Sequence, residues 1–220
     1  MFVAYGRYWS EIFWLSTRRI ASVDRHLQTV GIEHYEQALA AGNGVIFVLP
    51  HVGNWEVAGR AVAPWGHRVI AVAEKLSNAQ VAEWFIALRG SLGIEIVLAD
   101  RSVAAWRPLK EVLASNGSVA LVADRDINRS GTEVTFLGER TSLPSGAVRL
   151  SQRTGAPVIP VGSYFQKGRG HRVVMHPPLP ITDNTEASMQ AMADALGVVI
   201  RSDPEQWHMV QANWPSDRTT

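Results

Sequence analysis

The 220-residue chain is 46% hydrophobic and 19% charged, with a formal net charge of +1. That balance supports one large domain with a real core, and argues against disorder and against a nucleic-acid protein resting on a large basic excess. With no cysteine, disulfides, thiolate nucleophiles and cysteine-based zinc sites are excluded.

Taken in chain order, residues 2 to about 23 combine Phe2, Val3, Tyr8, Trp9, Ile12, Phe13 and Trp14 with Arg7, Arg18 and Arg19. This is an amphipathic, aromatic and basic helix or helix pair, suited either to a membrane interface or to packing on its own domain. Eight tryptophans in the chain fit surfaces that are half apolar and half wet as well as core positions. No signal peptide is expected, because Glu11 interrupts any apolar core ahead of Arg18 and Arg19. The longest uncharged stretch, Gln37 to Trp55, is broken by Gly42, Gly44, Pro50 and Gly53. A transmembrane helix needs about 20 predominantly apolar residues, so none is expected.

A helix is predicted near 32–41, then a turn at Gly42-Asn43-Gly44 and a continuous apolar strand, Val45 to Leu49, of the kind buried on both faces. A helix is expected from about Asn54. Further strands are predicted at 68–73, 95–99, 118–123, 157–162 and 171–176, and helices at 78–92, 102–115, 145–154 and 185–202. Such alternation predicts an α/β fold, a single domain with a mostly parallel central sheet flanked by helices. The 124–144 stretch is too long and polar for a simple connector and is a candidate functional segment. The organisation expected is an N-terminal membrane-facing helical segment over 1–30 and an α/β domain over 31–220.

His51 follows the buried strand Val45 to Leu49, at the edge of an open α/β sheet where ligands bind. With Glu56 it forms H-x4-E, an imidazole and a carboxylate of the kind that removes a hydroxyl proton and balances the charge that results. With seven histidines and 20 acidic residues, chance supplies on the order of one such match. Residues five apart also lie about 140° apart on an α-helix, so Glu56 does not face His51 across one. Asp124 ends the apolar run Ser118 to Ala123 and opens Asp124-Arg125-Asp126, a cluster that elsewhere is often a solvated loop of ion pairs. Glu74 ends the run Val69 to Ala73 in the same way. We read His51 with Asp124 as the working pair and Glu56 as a second carboxylate, catalytic or structural. Arg89, near a helix end, suits either an anionic substrate group or its own helix terminus. There is no G-x-S-x-G elbow, no phosphate loop and no histidine pair with a companion at metal-ligand spacing.

The motifs in sequence resemble a known family. They are Leu49-Pro50-His51-Val52-Gly53-Asn54-Trp55-Glu56, Val72-Ala73-Glu74-Lys75-Leu76, Arg89-Gly90-Ser91-Leu92-Gly93, Ala123-Asp124-Arg125-Asp126, Phe136-Leu137-Gly138, Pro144-Ser145-Gly146, Thr154 to Pro160, and Trp207-His208 through Trp214. Their order and spacing resemble the lysophospholipid acyltransferase superfamily, in the branch holding lipid A late acyltransferases and mycobacterial phosphatidylinositol mannoside acyltransferases. The mannoside branch is nearer, through Glu74-Lys75-Leu76, Asp124-Arg125-Asp126 and Arg129-Ser130-Gly131.

The resemblance implies an acyl thioester donor, acyl-CoA or acyl carrier protein, as co-substrate, and a membrane glycolipid hydroxyl as acceptor. The expected acceptor is a phosphatidylinositol mannoside, with a lipid A-type Kdo lipid, or a non-catalytic glycolipid-binding homologue, as the alternatives. It implies no further cofactor and no metal. It implies His51 as base, Asp124 as its partner, Glu56 at the acidic end of H-x4-D/E, and substrate-contacting roles for Glu74, Arg89, Arg125 and Asp126. It further implies a peripheral protein on the anionic cytoplasmic face of the plasma membrane, with no nucleic-acid partner. Asp124 stands where the mycobacterial pattern has the longer Glu. The chain is also short at its N-terminus relative to that pattern, as a fragment or trimmed form would be.

Overall fold

The computed structural model describes residues 2–15, 19–73, 77–98, 106–126 and 129–218. The protein is α/β. Its central sheet is built from β1 (Leu27–Val30), β2 (Val45–Leu49), β3 (Val69–Ala73), β4 (Ile94–Leu98), β5 (Ser118–Val122), β8 (Val158–Phe165) and β9 (His171–Met175). The spatial order is β1-β9-β8-β2-β5-β3-β4. All neighbours run parallel except β8 and β9. The carboxyl ends of β2, β3, β4, β5 and β8 therefore share one edge with the amino ends of β9 and β1.

Strand β2 is buried at every residue, Val45 through Leu49, because helices cover both faces of the sheet, and this explains its unbroken apolar run. One face packs under α5 (Trp106–Ala114), α6 (Gly146–Thr154) and α7 (Thr185–Ser202). The other packs under α3 (Ile32–Ala40) and the segment Trp55–Trp65. A third cluster joins the N-terminal helices, α1 (Phe2–Trp14) and α2 (Ile20–Arg25), to α4 (Ala79–Ser91). Helices α4 and α7 begin on asparagine caps, Asn78 and Asn184, whose side chains accept from the Val81 and Ala187 amides at 3.1 and 3.0 Å.

Three expectations take a more definite form. The helix expected from about Asn54 is present, as a 3-10 helix over Trp55–Trp65. Pro64 withdraws an amide donor there, and Gly59, set flat against Ile94, weakens the α-helical alternative. The 124–144 stretch is, as expected, no simple connector. It holds an antiparallel hairpin, β6 (Thr132–Phe136) and β7 (Glu139–Leu143), turned at Leu137-Gly138 with φ of +53° and +100°. Two positive φ values mark a turn that follows strand twist. The 1–30 segment is not all helical: it ends in β1, the edge strand of the sheet, paired in parallel with β9. The predicted helix at 102–115 is seen as α5 from Trp106, and its start falls outside the described residues.

Candidate active site

His51 lies in a bend just past the end of β2, and Asp124 just past the end of β5, the strand beside it. Two apolar strands in register thus carry two polar residues to one place. His51 Nδ1 stands 2.6 Å from Asp124 Oδ1. Asp124 Oδ2 accepts from the His51 amide at 3.0 Å and from the Trp207 indole Nε1 at 2.9 Å. The Asp124 backbone carbonyl accepts from Asn213 Nδ2 at 3.3 Å. Asp124 is fully buried. Burial alone would raise its pKa, but the His51 charge and these donors outweigh it and hold the carboxyl below its ordinary value. The aspartate is therefore ionised and accepts the Nδ1–H hydrogen bond of His51, which in the neutral ring leaves Nε2 with a lone pair. The short Asp side chain thus reaches both the ring and the backbone amide of His51.

Gly53 permits this geometry. Its φ is +57°, and a Cβ there would lie 2.1 Å from the Ser163 carbonyl oxygen. Gly53→Ala is expected to push the turn off β8 and cost at least about 1–3 kcal/mol. A urea unfolding curve and the rate of transfer, both falling against wild type, check it.

Glu56 does not meet His51. The 3-10 helix turns it toward α4, where Arg89 Nε and Nη2 donate to its two carboxylate oxygens at 2.8 and 2.7 Å. The Tyr8 hydroxyl from α1 donates to Glu56 Oε1 at 3.3 Å. Burial would lower the Arg89 pKa, but Glu56 outweighs it and raises it. Burial, then the Glu56 charge, pushes the Tyr8 phenol upward, so it stays a neutral donor. Arg89 spends its fork on Glu56 and also lines the cavity described below.

The other expected site residues lie apart. Arg125 Nη1 donates to Gln211 Oε1 at 3.1 Å. Asp126 is spent on the hairpin: its Oδ2 accepts from the Gly131 amide at 2.7 Å and Ser142 Oγ at 2.8 Å. Glu74 lies outside the described residues.

Several site residues had no assigned role in the reading above. Trp207 and Asn213 brace Asp124 from the C-terminal segment, which pairs with the His51 turn through the His208 amide to the His51 carbonyl at 2.8 Å. The ring of Trp55 meets His51 edge-on at 4.9 Å and stacks on Tyr8 at 4.2 Å. His208 packs against Tyr5, Tyr8 and Trp55, and neither of its ring nitrogens has a hydrogen-bond partner among the described residues. Burial, aided by His51, lowers its pKa to about 4, so its ring is neutral near pH 7. The only sequence signal for this group was its place in the closing Trp207-His208 to Trp214 motif.

Beside the site is a small apolar cavity, open to solvent in part, between the sheet and the 3-10 helix. Ala71, Ala73 and Ala120 on the sheet and Ala58 and Gly59 opposite create the space by being small. Trp55, Glu56 and Arg89 also line it, so Trp55 is a wall common to the cavity and His51.

An α/β sheet edge that presents a carboxylate-held imidazole next to an apolar cavity has the parts of a general base beside an apolar wall. The chain belongs to the bacterial lipid A biosynthesis acyltransferase family, whose model matches residues 1–216. It is 38% identical over 218 residues to the phosphatidylinositol mannoside acyltransferase of Mycobacterium tuberculosis, covering 97% of this chain and 69% of that protein. It is 35% identical over 216 residues to the protein of that name from Mycolicibacterium smegmatis, covering 97% and 71%. A lipid A biosynthesis acyltransferase of Haemophilus influenzae is 22% identical over 189 residues, covering 83% and 58%.

Proposed function

We propose that this protein transfers a fatty acyl group from an acyl thioester, acyl-CoA or acyl carrier protein, to a sugar hydroxyl of a membrane glycolipid. The acceptor we favour is a phosphatidylinositol mannoside, the class named in its relatives at 35–38% identity. The observation that carries the reading is His51 Nδ1 held at 2.6 Å by a buried aspartate beside an apolar cavity.

In this mechanism Nε2 of His51 takes the hydroxyl proton as the oxygen attacks the thioester carbonyl, and Asp124 offsets the imidazolium charge. The tetrahedral intermediate collapses with loss of the thiolate, which recovers the proton from His51. The acyl chain is proposed to run along the apolar wall that Ala71 and Ala120 form. Arg89, Arg125 and Glu74 are proposed contacts for the donor or acceptor polar groups. Among the described residues no helix is long and apolar enough to cross a membrane. Attachment is proposed through the exposed side of α1, where Phe2, Val3 and Phe13 face solvent, at the cytoplasmic face of the plasma membrane.

The test is transfer of a labelled long-chain acyl group from acyl-CoA to membrane lipid extract, with products identified by mass spectrometry. Wild type should acylate a glycolipid, and His51→Ala should be slower by about 10²–10⁴-fold. Equal transfer by the two proteins would remove His51 as base. A labelled Kdo lipid in place of a mannoside would redirect the acceptor to the lipid A class.

A further inference from the structure

We propose that Glu11, on α1, is a positioning residue for the turn that carries His51. The inference rests on the acyl transfer proposed at His51 and adds to it a reason why the N-terminal helix is part of the catalytic apparatus.

Glu11 collects donors from three elements. Arg7 Nε, one turn earlier on α1, donates at 2.8 Å. His171 Nε2, at the start of β9, lies at 2.7 Å. Asn54 Nδ2, three residues after His51, donates at 3.0 Å. Burial would raise the Glu11 pKa, yet these partners outweigh it and lower it, so the carboxylate is held charged. Arg7 is anchored in turn, donating to the Gln166 carbonyl at 2.8 Å and lying 4.4 Å over the Phe165 ring.

The conformation of Asn54 shows where this carboxylate acts. Asn54 occupies the cap position of the 3-10 helix, where an asparagine side chain normally accepts from an amide of the first turn. It makes no such bond. Its carboxamide is turned away to Glu11, while its backbone carbonyl accepts from Ser163 Oγ at 2.7 Å. Asn54 is fully buried, so this orientation is imposed by the interior. The next two residues are also gripped by α1, Trp55 by stacking on Tyr8 and Glu56 by the Tyr8 hydroxyl. Helix α1 thus holds Asn54, Trp55 and Glu56 from one side, while Asp124 holds His51 from the other. Glu11 is the charged member of that grip, and it lies about 160° round α1 from the exposed Phe13.

The experiment compares wild type, Glu11→Ala and Glu11→Gln in the full chain, using acyl transfer from long-chain acyl-CoA to lipid-extract vesicles, vesicle binding, and the proton NMR resonance of the His51 Nδ1 hydrogen. Glu11→Ala should lose kcat on the order of 10–100-fold, as misplaced supporting groups do, with KM for acyl-CoA and vesicle binding retained. The His51 resonance should shift or broaden. Glu11→Gln, which keeps an acceptor for Asn54, should recover most of the kcat and the resonance. Unchanged kcat and an unmoved resonance in Glu11→Ala would overturn the proposal. So would a loss confined to vesicle binding, or a Glu11→Gln protein as slow as Glu11→Ala. If wild type transfers no acyl group, the acyl-transfer reading fails, and the resonance still decides whether Glu11 positions His51.

Discussion

Asp124→Asn is expected to slow acyl transfer by about 10³–10⁴-fold, the scale seen when an aspartate holding a catalytic imidazole is made neutral. The cause is the tautomer. Asp124 is an acceptor for three donors, the His51 ring, the His51 amide and the Trp207 indole. An asparagine keeps one oxygen and adds an amino group. With its oxygen serving the amide and the indole, the amino group faces Nδ1 and drives the proton to Nε2, which can then no longer accept from a hydroxyl. Steady-state rates on the lipid-extract assay measure the loss, and full activity in Asp124→Asn would remove the dyad from the mechanism.

The same substitution has a signature in acid. The Asp124 carboxyl is held below its ordinary value of 3.8. A group depressed on folding contributes stability that is present above its unfolded value and lost as pH falls through its folded value. Wild type should therefore lose stability from about pH 4 downward, and Asp124→Asn should lose less over that window. Thermal melts from pH 7 to pH 2 read the difference.

Arg89→Ala is expected to destabilise the fold by about 3–5 kcal/mol, because it strands the Glu56 carboxylate in the interior. For a chain of this size that is a fall in Tm of roughly 6–20 °C. The side chain of Glu56 is 3% exposed, and the Tyr8 hydroxyl alone does not replace a bidentate guanidinium. Replacing both partners, Glu56→Leu with Arg89→Met, should restore much of the stability, since apolar side chains of similar size remove the stranded charge. Calorimetry on the three proteins decides what Glu56 is for. A stable Arg89→Ala protein that has lost only transfer would make substrate contact, and not the ion pair with Glu56, the main role of Arg89.

The contrast between Glu56 and Asp124 also shows what could be read in advance. Asp124 was legible because a buried parallel strand advertises itself as an unbroken apolar run, and the residue after it falls at the ligand-binding edge. His51 was legible for the same reason. The partner choice followed from helix periodicity, although the helix proved to be 3-10. Glu56 and Arg89 lie 33 residues apart in the chain, and no local pattern announces their meeting.

By itself the sequence determined the alternating elements, the parallel sheet, the residues at its strand ends and the family. These follow from hydrophobic periodicity and motif order, which are written over a few residues at a time. Only the tertiary structure decided that Glu56 belongs to Arg89 and that Trp207 and Asn213 brace Asp124. It alone turned Asp126 to the hairpin and brought Glu11 to Asn54 and His171. These contacts span up to 160 positions in the chain. Each depends on where whole helices and strands come to rest, and a polar side chain carries no local mark of the partner that burial will force on it.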